Sequence, residues 1–138
     1  MKFLIKALKC SAPAILLWGL ISGVAVAEPA RDAIINSFVT DAGTPFSAER
    51  GKALFLSKPG GGKPETPSCT TCHGSSPAAT GKTRAGKTID PMAVSVTPNR
   101  YTDPKKVAKW FRRNCKSVLG RECTAREKGD FLTYMSSQ

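Results

Sequence analysis

The residues best suited to chemistry stand together at Cys69-Thr70-Thr71-Cys72-His73, a C-x-x-C-H segment. Two thiols at this spacing can each form a thioether to a vinyl group of one porphyrin, with the adjacent imidazole directly below the iron. The segment therefore reads as the attachment site of one c-type haem. His73 is the single histidine in 138 residues, so a haem here has one histidine ligand. A redox dithiol would want a βαβ setting, which is absent. A zinc site would want a second ligand pair, and Cys115 and Cys123 are spaced too widely for a knuckle.

The opposite face of the iron could take Met92, Asn114, a lysine, or no protein group. A thioether from Met92, in a loop bounded by Pro91 and Pro98, would give a low-spin electron carrier of raised potential. The plain alternative for Met92 is core packing. Asn114 ends a stripe of Val107, Trp110 and Phe111 at i, i+3, i+4 and i+7, so its amide should face the core beside the haem pocket and needs a partner. Capping a helix end or touching a carbonyl would serve it as well as iron. Gly81 to Thr88 matches G-x-x-x-x-G-K-[ST] formally, but no buried strand precedes it and Pro91 interrupts the helix a phosphate loop needs. Arg84 within it is a candidate for pairing with a haem propionate.

Helices must position these groups. Ile34, Ile35, Phe38 and Val39 predict a helix over 31–41, stopped by Gly43 and Pro45. Ser47 caps a second over 48–57, where Gly51 implies close approach of another element. Asp103 and Pro104 open the strongest helix, running to about Cys115 or Lys116. A last one runs from about Thr124 to Met135. Residues 58–68, with three consecutive glycines, form a loop leading into the haem motif; 74–97 lack a helix, and 92–96 read as a brief extended segment. So much irregular chain suits a domain wrapped around a cofactor. The class is all-α, small helices around one covalently bound haem.

Lys2, Lys6 and Lys9 precede an apolar run ending in Ala25-Val26-Ala27, the pattern of a secretory signal peptide cleaved after Ala27. Setting those 27 residues aside from 138 leaves 111, one monohaem domain over 28–138. The expected compartment is the periplasm. There Cys115 and Cys123, the pair left once Cys10 goes with the leader and Cys69 and Cys72 take haem, form a natural disulfide worth roughly 2–3 kcal/mol. The formal charge of +11 falls to +8 without the three leader lysines. That field steers an acidic partner surface, and export excludes nucleic acid.

Lys109-Trp110-Phe111-Arg112-Arg113-Asn114-Cys115, then Leu119-Gly120-Arg121-Glu122-Cys123-Thr124, Glu127-Lys128-Gly129-Asp130 and the upstream Pro91-Met92-Ala93 resemble the sphaeroides haem protein family from about Ser47 to the C-terminus. Val94 and Thr97 stand where that family would have Pro and Asn. The resemblance implies a class I cytochrome c-like fold and an asparagine, here Asn114, that binds ferric iron and leaves on reduction. It implies a disulfide between Cys115 and Cys123, and O₂, NO or CO as small diatomic ligands. A dihaem cytochrome c and a membrane b-type cytochrome would be redox partners. The implied role is electron transfer, with oxygen reduction as a terminal step. A His73/Met92 electron shuttle and a haem gas sensor are the other readings.

Overall fold

The computed structural model describes residues 27–39 and 44–138. Residues 1–26 of the expected leader and the stop signal at Gly43 lie outside them. Among the described residues five helices carry the fold: α1 (Ala27–Asn36), α2 (Ala48–Leu56), α3 (Thr70–His73), α4 (Pro104–Leu119) and α5 (Ala125–Ser136). A two-stranded antiparallel hairpin, β1 (Gly81–Lys82) and β2 (Thr88–Ile89), pairs Gly81 with Ile89. Among the described residues no helix is long and apolar enough to cross a membrane.

Local chemistry sets most helix ends. Ser47 accepts from the Arg50 N–H and Asp103 from the Lys106 N–H, each satisfying an orphan donor of a first turn. Thr124 and Glu127 form a reciprocal capping box on α5. Helix α4 continues a turn beyond the expected Cys115 or Lys116 and stops at Gly120, whose positive φ of 71° suits glycine. Helix α1 begins and ends earlier than the expected 31–41.

The scaffold is the crossing of α2 and α5. A Cβ on Gly51 would overlap the Asp130 carbonyl and lie 2.8 Å from the Tyr134 Cβ, so the close approach expected of this glycine is present. Asp130, 4% exposed, accepts from the Ser47 N–H at 2.7 Å and takes a two-pronged contact from Arg50 at 2.7 and 2.8 Å. A buried carboxylate is thus compensated where the helices meet. One apolar cluster gathers Phe55, Met92, Tyr134 and Met135; a second joins Ile34, Val107 and Leu132. Tyr101 and Phe131 pack against both.

Three expectations change. Residues 81–89 form a hairpin, because Thr83 turns the chain through the Lys87 carbonyl and Gly86 supplies a φ of 78°. Residues 94–96 are a turn rather than an extended segment, with the Val96 and Thr97 N–H groups both closing on the Ala93 carbonyl. The buried side of α4 is Val107, Cys115 and Val118, with Phe111 half-buried. Trp110 and Asn114 lie off that stripe; Trp110 is 50% exposed and Asn114 is exposed. The helix has two non-equivalent flanks, and spacing alone merged them.

Candidate haem centre

Cys69 stands at the start of α3 and Cys72 and His73 lie within it. One helical turn therefore brings both thiols and the imidazole together. The Cys72 and His73 N–H groups both bond to the Cys69 carbonyl, and Gly74 ends the turn at a φ of 68°. Gly81 of β1 packs on this turn, where a Cβ would lie 3.1 Å from the His73 Cα. Neither Cys69 nor Cys72 takes part in a disulfide. Cys69 packs against Phe55, Met92, Tyr134 and Met135, and burial pushes its thiol up to about 11. A thioether, which carries no charge, suits that surrounding. Burial, then the Arg100 charge, holds His73 below the ordinary histidine value. It is thereby kept neutral, the form that offers a metal a lone pair.

Met92 is 8% exposed, its side chain inside the cluster with Phe55 and Met135. Its N–H and that of Ala93 donate to the Pro77 carbonyl at 2.7 and 2.9 Å. This segment is thus tied to the chain that follows His73. Tyr101, at a φ of 62°, donates its hydroxyl to the Met92 carbonyl at 3.1 Å.

Asn114 lies apart from the haem motif. With Trp110 it lines an open hollow of about 750 Å³ along α4, a size within the range of ligand clefts, about 300–1,000 Å³. Cys69, Cys72 and His73 do not line this hollow. Residues 63–66 connect the two parts: the Lys63 N–H donates to the Ser117 carbonyl at 2.8 Å, and the Thr66 and Ser117 hydroxyls meet at 2.8 Å. The Asn114 amide makes no hydrogen bond among the described residues, so capping or carbonyl contact does not account for it there.

Lys63, Arg112, Arg113, Lys116 and Arg121 edge the same hollow, against the single carboxylate Glu122. Lys109 and Arg113 lie over the Trp110 ring at 5.7 and 5.2 Å. Sequence spacing had shown these charges only as scattered. Arg84 pairs with Glu65 at 3.2 Å on an exposed surface, leaving the propionate contact an open assignment. The expected disulfide is present between Cys115 and Cys123, and it closes the loop that ends α4. Arg121 in that loop holds Glu127 of α5 with two bonds of 2.7 and 2.8 Å.

A half-buried histidine, two thiols on one helical turn and an apolar wall behind one of them fit a covalently attached porphyrin. The fold and site together define a small helical cytochrome c. A family described as a domain of unknown function (DUF1924) matches residues 41–135. The cytochrome c-type protein SHP of Cereibacter sphaeroides is 50% identical over 125 residues, covering 90% of this chain and 97% of that protein. This chain belongs to the DUF1924 family and, within it, is a relative of SHP.

A structure of oxidised SHP, described as an oxygen-binding cytochrome c, superposes with a TM-score of 0.75 at 53% identity, covering 78% of this chain and 96% of that one. A solution structure of cytochrome c'' from Methylophilus methylotrophus, described in terms of haem-ligand detachment, gives 0.62 at 32% identity, covering 83% and 95%. The fold is that of a class I-like cytochrome c, and the cofactor is one covalent haem c.

Proposed function

We propose that this chain is a periplasmic monohaem cytochrome that receives electrons from another cytochrome. In this reading Asn114 holds the ferric iron and leaves on reduction, opening a place for O₂, NO or CO. Cys69 and Cys72 hold the cofactor and His73 supplies the permanent axial nitrogen. Bound haem c supplies one-electron chemistry and a coordination site.

The observation that carries the choice of sixth ligand is the contrast between Met92 and Asn114. Met92 is enclosed by protein and its backbone is tied to the segment following His73, whereas the Asn114 amide is exposed and unpartnered beside Trp110. Asn114 offers a hard, neutral and weak oxygen donor, which favours Fe(III) over the softer Fe(II). The oxygen binding described for SHP and the ligand detachment described for cytochrome c'' agree with this reading.

The cationic edge of the hollow is the face offered to an acidic redox partner. A dihaem cytochrome c and a membrane b-type cytochrome are the partners in this reading, and oxygen reduction is its terminal activity. Ferric and dithionite-reduced spectra, each with and without CO, test the switch. High-spin ferrous protein that takes up CO is expected. A ferrous form that stays low-spin and refuses CO returns the chain to a His73/Met92 shuttle.

A further inference from the structure

Two arginines that the haem motif does not contain act in series on the segment tied to the loop after His73. Arg31 of α1 is 5% exposed and donates to the backbone carbonyls of Pro98 and Arg100. Arg100 in turn donates to the carbonyls of Pro91, at 2.7 Å, and Asp90, at 2.6 Å. The Thr97 hydroxyl also donates to the Pro91 carbonyl, at 2.9 Å. The next two residues, Met92 and Ala93, donate their N–H groups to Pro77, four positions after His73. Met92 itself packs in the cluster against which Cys69 rests. The chain of contacts runs from α1 through two guanidinium groups to the segment that follows the iron's histidine.

Hydrogen bonds to carbonyls leave both guanidinium charges in place. A positive charge held near a redox centre favours the state with one more electron, and partial burial limits its screening by salt. Arg100 is half-buried and Arg31 is buried.

We propose that Arg100, steadied by Arg31, is a positioning residue of the haem's histidine side: it fixes residues 90–92 against the loop after His73, and its charge raises the reduction potential. This inference rests on the haem site and not on which residue is the sixth ligand.

Redox titration of the holoprotein, with thermal melting of the same samples, tests it. Arg100→Gln removes charge and clamp; the equilibrium should shift about tenfold toward the ferric state, about 59 mV for one electron. Arg100→Lys keeps the charge and loses the two-pronged clamp, so it should melt earlier yet stay within about threefold of the wild-type equilibrium. Equal shifts in the two variants, or a Gln variant that melts earlier at unchanged potential, would overturn the role of the charge. Arg31→Gln supplies the decision if Arg100→Gln does not take up haem. A shift of about threefold toward ferric is expected, and an unchanged potential overturns the proposal.

Discussion

The hydroxyl of Thr66 lies 2.8 Å from that of Ser117, and it also reaches the Ser117 carbonyl at 3.1 Å. Thr66 stands three residues before Cys69, and Ser117 three residues after Asn114. One side-chain contact therefore joins the approach to the haem motif to the turn of α4 that follows Asn114, two segments far apart in the chain. Gly62 deepens the join, since any Cβ there would collide with the Ser117 and Val118 carbonyls.

Removing this tie should loosen Asn114 before it unfolds the protein. Thr66→Val deletes one hydroxyl and should cost about 1 kcal/mol. It should also raise the high-spin fraction of the ferric protein at room temperature. Melting curves and ferric spectra on the same sample check both, and a spectrum identical to wild type would detach Thr66 from the control of Asn114.

Met92 and Asn114 should separate by opposite signatures. Met92→Ala empties a site in the Phe55 and Met135 cluster and should cost about 2–5 kcal/mol, with the ferric spectrum unchanged. Asn114→Ala should barely alter the melting of the polypeptide yet change the ferric spectrum strongly. A large spectral change in the Met92 variant would reverse the assignment.

At the α2–α5 crossing, Gly51→Ala should destabilise although alanine is the better helix former by about 1 kcal/mol. The added methyl meets the Asp130 backbone, which cannot rotate away, so a net loss of about 2 kcal/mol is expected. A lower urea midpoint at unchanged slope is the expected result.

The Arg121 bridge, with help from the Thr124 N–H, holds the Glu127 carboxyl down at about 2 from an ordinary value of 4.5. A folded value below the unfolded one means stabilisation fully present above about pH 4.5 and lost as pH falls toward 2. Unfolding free energies of wild type and Glu127→Gln should differ most at neutral pH and converge near pH 2. A gap that stays constant across that range would remove the bridge from the account.

The parts of the fold read correctly from sequence are those whose causes lie within a few residues. Ser47 and Asp103 each act on an N–H three positions away, and C-x-x-C-H places its groups on one turn wherever that turn sits. The hairpin at 81–89 escaped because each strand has two residues, too few for any alternation to register. Spacing merged Trp110 and Asn114 with Val107 and Phe111 because a periodic pattern gives the angle between side chains without saying what each flank of α4 meets.

Sequence alone determined the cofactor and the cysteine pair, because a covalent motif and a count of thiols need no neighbours, and it offered His73 as the single histidine for the iron. Tertiary structure decided the rest. It enclosed Met92 in the core and left Asn114 open, gathered Lys63 with the α4 and Arg121 cations around one hollow, and tied Arg100 to the Pro91 and Asp90 carbonyls. Each of these depends on which distant segments meet, and that is settled by the α2–α5 crossing and the Thr66–Ser117 join rather than by any local run of residues.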